Sequence, residues 1–430
     1  MTDLKSQHPI LFWPRRPEAL PGRALSVHAL SHAARYLIDN PPSADILILE
    51  SDDALTPYLN EMESLVEAAS DSNPLFEPDA LQAAMRDLQA GGPVNVILVW
   101  GEPGGDGRRL LLGLFPIQRR RFYLGLPVEI WSVWTHIHGF LATPILRAGH
   151  ERSALRRLLA FADQSSAPMV RFPMFEAGGA FDAAMTDILK ERGQPHVETG
   201  RHERAFLKSE LDGEAYLGTH MRKKKRKEYN RLWNRLAELG DLRFETHDGG
   251  DVSDWLDRFL WLEASGWKGK RGTALAERSN ERRFFETLCR AAHARGKIHC
   301  AEIVLDGKPI AMLVSFLSGG GAYSFKIAYD EAYAKFSPGA ILMMKVAADF
   351  LADPRIGWVD SCAVPDHPMI DHIWAERRGI REVNAGTAHR LSPLIIAFSA
   401  RATRMVDWAW VRMRGVYHRL RKEVEHGKAH

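Results

Sequence analysis

Residues 321–380 constrain what this chain can fold into more than any other stretch. The alternating run from Ala322 to Tyr329 predicts a strand, and a polar turn leads from it to Ser337-Pro338-Gly339. The apolar run from Ala340 to Leu351 is too long for a strand and predicts a helix, ended by Asp353 and Pro354. Trp358 to Cys362 predicts a second strand. Strand, turn, helix and strand together make a crossover unit. Proline just inside a helix start is favoured, because the N–H it lacks would have no partner in the helix anyway. The remaining amides and the helix dipole make such an end a place for a phosphate or pyrophosphate. Gly339 has no side chain to hold a phosphate off the backbone.

Phe325, Lys326, Tyr329, Asp330 and Tyr333 are followed by Ser337-Pro338-Gly339, Asp360 to Ala363, Pro365 to Ile370 and Trp374 to Arg378. In order and spacing this resembles the central part of GNAT-type N-acyltransferases, in the branch that holds the CelD-like cellulose-biosynthesis proteins and the FemAB peptidyltransferases. Trp267-Lys268-Gly269 with Thr273 to Leu275 resembles a further signature of that group, as do Ser72 to Phe76 and Leu114 to Ile117 in the first half. The resemblance implies an α/β (α+β) fold of tandem GNAT-like domains, each a mixed sheet flanked by helices. It implies acetyl-CoA or another acyl-CoA as co-substrate and no metal. The pyrophosphate would lie at the helix start formed by Lys335, Phe336, Ser337, Pro338, Gly339 and Ala340. An amine or hydroxyl acceptor follows, with an amino sugar or exopolysaccharide precursor as the class suggested by the resemblance. The alternatives are a FemAB-type transferase that takes its donor from aminoacyl-tRNA, and a non-catalytic scaffold in polysaccharide synthesis.

The chain of 430 residues is 45% hydrophobic and 26% charged, ordinary globular material with room for two or three domains. We expect an N-terminal arm over residues 1–43, a first GNAT-like domain over 44–200, a second over 201–393, and a basic, aromatic C-terminal helix over 394–430. No internal sequence repeat is convincing. A net charge of +3 makes no case by itself for nucleic acid or membrane binding. Three cysteines without CxxC spacing fit a reduced compartment. No signal-peptide core and no run near the roughly 18 apolar residues of a spanning helix is present, so the expected location is cytoplasmic. Asp306-Gly307 between two apolar runs is the strongest hairpin signal in the chain.

Acyl transfer from a thioester to an amine must remove a proton from nitrogen, stabilise an oxyanion and return a proton to sulfur. Asp360 within the second strand, Asp366 and His367 just beyond it, and Lys326 on the first strand are the acid–base candidates. Between Pro365 and Pro368, Asp366 and His367 have a second reading as a rigid turn. Ser361 and Cys362 read as small buried residues. Lys326 and Tyr329 are three apart and face opposite sides of a strand, so only one lines a cleft unless a bulge intervenes. Trp267 and Lys268, in a glycine-flanked loop, are acceptor-contact candidates together with Tyr329. Glu376 and Arg377 read as the solvated face of a helix after Trp374.

His136 and His138 have metal-ligand spacing but no third ligand, and read as structural or exposed. The basic run Arg222 to Lys227 opens a helix closed by Gly240. Its readings are a solvated face, a site for an anionic acceptor or coenzyme phosphates, and, less favoured, an RNA contact. The tail interleaves Trp408 and Trp410 with arginines, which fits packing on the second domain or peripheral contact with an anionic membrane.

Overall fold

Local signals set most of the elements in the computed structural model, which describes residues 45–103, 109–247 and 249–405. The first half begins with β1 (Ile46–Leu49), a 3-10 turn, α1 (Leu59–Glu67) and α2 (Pro78–Asp87). The strands β2 (Val94–Pro103), β3 (Arg109–Arg120), β4 (Ile130–Val133) and the short β5 (Ile145–Leu146) follow. Next come α3 (Glu151–Asp163), β6 (Met169–Glu176), α4 (Ala180–Arg192) and β7 (His196–Leu207). The second half runs through α5 (Gly213–His220), α6 (Lys223–Ala237), β8 (Leu242–Thr246), α7 (Ser253–Ser265), the single turn α8 (Trp267–Lys270) and α9 (Ser279–Ala294). It ends with β9 (Ile298–Leu305), β10 (Lys308–Ser318), β11 (Gly321–Tyr329), α10 (Pro338–Ala352), β12 (Val359–Asp360) and β13 (Glu376–Gly386).

Punctuation residues act where expected. Pro338 is the first residue of α10, and α4 stops at Gly193 in the left-handed conformation, φ 60°. Asp306 (φ 50°) and Gly307 (φ 74°) turn β9 into β10 with two left-handed residues, as a two-residue hairpin requires.

The thirteen strands of the described residues join one sheet in the order β1-β2-β3-β4-β6-β13-β7-β12-β11-β10-β9-β8, with β5 on the side of β3. The order is palindromic. Each half lays down four antiparallel-linked strands, crosses over through a helix, and returns with a strand parallel to the fourth, β6 beside β4 and β12 beside β11. At the centre the halves exchange their last strands: β13 lies against β6, and β7 lies against β12. The tandem arrangement expected from the sequence is therefore present, although residue 200, the expected boundary, falls inside β7.

Two readings need correcting. Glu376 and Arg377 open a strand, β13, rather than lying on a helix. Glu376 accepts from the Tyr216 hydroxyl and the exposed Arg377 donates to the Trp374 carbonyl, while Arg378 and Arg381 further along pair with Asp360 of β12 and Glu198 of β7. Trp267 to Lys270 is a helical turn rather than a loop, seated so tightly that a Cβ on Gly269 would lie 1.8 Å from the Ala264 carbonyl oxygen.

α10 is apolar almost all round and buries Ile341, Leu342, Val346, Ala347 and Phe350 against β9, β10 and β11. Each of these side chains other than Ala347 contributes roughly 1.5–3 kcal/mol on burial. α5 crosses α10 so closely that a Cβ on Gly213 would sit 2.4 Å from the Ala348 backbone, which fixes glycine there. α7 and α9 also pack on the second half, and α9 rests on α2 of the first half. Residues 392–405 are helical, as expected of the tail. Trp408, Trp410 and the arginines around them, and the arm over 1–43, lie outside the described residues. Among the described residues, no helix is long and apolar enough to cross a membrane.

Candidate active site

β11 and β12 are paired only at Ala322–Val359 and Tyr323–Asp360, and beyond that point they part. The chain leaves β12 through Cys362, held at φ 51°, and turns again at Asp366, φ 56°. A cavity of about 170 Å³ lies in the gap. Ser324, Lys326 and Ile327 line one side of it, Cys362, His367 and Met369 the other. Opposite β10 the register steps from Ser324 to Lys326, so Phe325 is a bulge residue without a ladder partner. Ser337, at φ 53°, caps α10 nearby. Among the described residues, half of the six non-glycine residues with positive φ thus sit around one cleft, the clustering of backbone strain that accompanies functional sites.

The donor end is the start of α10. The amides of Ala340 and Ile341 both bond to the Ser337 carbonyl (3.1 Å each), and Pro338 has no N–H to place. Gly339 faces Met369, Tyr329 and Ile327, and a Cβ built on it would meet all three at 3.6–3.7 Å. The glycine is therefore not demanded by protein packing. It packs beside Ile327 and Met369, which line the cavity. Phe336 is buried, while the exposed Lys335 lies over its ring at 5.1 Å and Arg235 of α6 approaches the same ring at 5.8 Å. Two cations thus stand at the dipole-positive end of α10.

Lys326 is the chemically unusual group. Burial, then the neighbouring Lys268 charge, lower its ammonium from the usual lysine range to about 8. Its Nζ is 3.1 Å from His138 Nδ1. The other ring nitrogen, His138 Nε2, is 3.1 Å from Glu281 Oε2, close but poorly aligned. The imidazole stacks on Phe284 at 5.8 Å, with 10° between the planes. Burial lowers the His138 pKa and outweighs the help of Glu281, so the ring is neutral. Burial raises Glu281, but His138 and Arg278 outweigh it and hold that carboxyl at about 2. Behind this group, Lys268 is paired with Glu263 at 2.6 Å, and the other Glu263 oxygen accepts from the Leu275 amide.

The remaining sequence candidates divide. His367 lines the cavity, and burial lowers its pKa. Asp366 is exposed at its corner and is not among the lining residues. Tyr329 stands at the exposed end of β11 with Ile327, against Gly339, and Lys326 faces the other way, as the strand alternation requires. Trp267 is 44% exposed beneath the Arg271 guanidinium, and Lys268 acts on Lys326 through its charge.

Asp360 has a different environment. It is fully buried and accepts from Arg204 (2.6 Å), Arg378 (2.9 Å) and the Cys362 amide (2.8 Å). Arg378 continues to Glu176 and packs on the rings of Trp358, Tyr323 and Phe206. This group ties β6, β7, β12 and β13 together at the strand exchange, and Asp360 is not among the residues that line the cavity.

Sequence reasoning weighed His138 only as half of a metal-ligand pair with His136, and passed over Glu281. The available signal was Glu281 itself, which shares a helical face with Phe284, Phe285 and Leu288 at spacings of three, four and seven. A carboxylate on an apolar face needs a partner. In the first half, the gap that corresponds to the cleft is bridged, the Ala142 amide donating to the Met174 carbonyl at 2.9 Å.

Residues 223–363, which include the β11 wall of this cleft and the start of α10 but not His367 and Met369, match the family model for an acetyltransferase (GNAT) domain. No curated protein sequence matches the chain. The crystal structure of FemX superposes with a TM-score of 0.51 at 14% identity, covering 79% of this chain and 98% of FemX. The C-terminal (DUF2156) domain of a putative lysylphosphatidylglycerol synthetase from Agrobacterium fabrum gives 0.49 at 12% identity, covering 80% and 96%. A tandem GNAT protein from the clavulanic acid biosynthesis pathway gives 0.40 at 13% identity, covering 79% and 98%. At 14% identity the likeness to FemX is one of fold.

Proposed function

Given that this chain is an acyltransferase of the GNAT type, with that domain at residues 223–363 and the fold of FemX around it, we propose that it moves an acyl group from coenzyme A to an amine, with Lys326 as the base. The observation that carries this reading is a lysine with a pKa of about 8 on the wall of the cleft beside the α10 start. Bound acyl-CoA supplies the thioester whose C–S bond breaks. The Gly339 amide, the dipole of α10, Lys335 and Arg235 would hold its phosphates, and the slot between Ile327 and Met369 suits an extended arm. Neutral Lys326 takes the proton that the attacking nitrogen loses as the C–N bond forms. The ammonium so made is the group at hand to return a proton to the departing sulfur, which balances the transfer. The bulge at Phe325, which frees that residue from the β10 ladder, would supply the backbone N–H for the oxyanion.

Two results are expected. Acetyl-CoA should raise the melting temperature in proportion to the logarithm of its concentration above Kd, with about 2.7 kcal/mol of stabilisation at a hundredfold excess over Kd. No shift at millimolar acetyl-CoA would count against the donor. Free thiol release in the presence of amino sugars then tests the acceptor. The rate should rise with pH and level off above about 8, because Lys326 must be unprotonated to act. The sign for stability runs the same way. The folded pKa lies below the unfolded one, so stability rises with pH between about 8 and the ordinary lysine value.

One observation favours aminoacyl-tRNA as an alternative donor. Among the described residues, no carboxylate pairs with Arg222 to Lys227 at the start of α6. Salt-sensitive tRNA binding, weakened by neutralising that run, would support the alternative. Binding unaffected by the neutralisation would remove it.

A further inference from the structure

We propose that His138 is a positioning residue for Lys326, so that the first half of the chain completes the cleft of the second. The inference rests on the reading of Lys326 as the base. His138 comes from the segment after β4, and nothing in the family match at 223–363 includes it. Its ring is clamped by the stack on Phe284 and by the edge contact with Phe325 at 6.3 Å. The Glu281 carboxylate beside Nε2 places the ring proton on that nitrogen, leaving the Nδ1 lone pair for Lys326 Nζ at 3.1 Å. Glu281 is itself fixed by Arg278 at 2.7 Å. A neutral amine that donates one N–H to His138 is held on its flexible stem with its lone pair left for the cavity. Without that acceptor the stem regains rotamer freedom, and misplacement of a reacting group by about 1 Å can cost on the order of 10²-fold in rate.

Other charged and titratable groups face Lys326 from each packed element. They are His136 and His138 from the first half, Glu281 with Arg278 at the start of α9, and Glu263 with Lys268 from α7 and α8. Cys362 and His367 stand across the cavity. Of these, among the described residues, His138 alone lies within hydrogen-bond distance of the Lys326 amine.

The test compares His138→Phe, which keeps the stack on Phe284 but has no acceptor, with His138→Asn, whose side-chain oxygen falls near the Nδ1 position. The full chain is labelled with ¹³C-lysine and the Lys326 side-chain signal, assigned by its loss in Lys326→Arg, is followed through a pH titration. Turnover of acetyl-CoA is measured beside it. In His138→Phe the titration midpoint should fall by about one unit, since the ammonium has lost a hydrogen-bond acceptor. kcat should fall on the order of 10²-fold with KM for acetyl-CoA little changed, and His138→Asn should recover most of both. An unmoved titration in a folded His138→Phe variant overturns the proposal. So does a His138→Asn variant as impaired as His138→Phe, which would assign the loss to packing. If the unmodified protein turns over no acetyl-CoA, the failure belongs to the proposed reaction, and the NMR titrations still decide the role of His138.

Discussion

Lys326→Met is expected to lower acyl transfer by about 10²- to 10⁴-fold, the usual contribution of a positioned base, with the fold intact. The substitution is nearly isosteric, and it removes an ammonium whose burial penalises the folded state, so thermal stability should hold or rise slightly. The readouts are thiol release under saturating acetyl-CoA and the melting temperature of the same sample. The residual activity should also lose the rise towards pH 8 that Lys326 imposes. A variant with unchanged rate and unchanged pH profile would remove the lysine from the chemistry and return attention to His367 on the opposite wall.

Asp360→Asn is expected to cost about 3–5 kcal/mol of stability, the largest effect we foresee from one substitution outside the cleft. The reason is asymmetry. Arg204 and Arg378 are almost wholly buried, and without the carboxylate each keeps its charge in a place water does not reach. Burial alone pushes the Asp360 carboxyl up, but Arg204 and Arg378 outweigh it and hold it below the usual carboxylate range. Its stabilisation is therefore complete above the unfolded aspartate pKa and is lost as pH falls through the depressed folded value. Denaturant midpoints of the two proteins at neutral pH measure the cost. A difference below about 1 kcal/mol would mean that the arginines find other partners.

The parts of the fold legible in the sequence are those whose causes are local. The β9–β10 hairpin follows from Asp306-Gly307, and α10 follows from Pro338 and a long apolar run. The central strands were not legible for an equally physical reason. β7 and β13 are rich in Arg, Glu and His, which reads as surface. Their charges are answered by residues far away in the chain: Arg381 by Asp182, 199 positions off, and Arg171 by Glu382, 211 positions off. Within the cleft, Lys326, His367 and the α10 start were named from motif spacing and all border the same gap. Asp360 shared that motif but is turned into the arginines behind it. His138 could not be placed, because its partners come from packing between the halves rather than from spacing.

The exchange of β7 and β13 also dictates an order of events during synthesis. Residues 376–386 are needed between β6 and β7, so the middle of the sheet cannot close until residue 386 has left the ribosome. Until then β6 and β7 each present an open edge, the kind of surface that pairs with other chains. A chain ending at residue 375 is expected to be retained by chaperones or to aggregate, and neither half should be rescued by producing it alone. Strand pairing over such separations is slow to form. Its last-arriving segment therefore acts as a quality check, since only a chain translated past residue 386 can bring Asp360 and both of its arginines together.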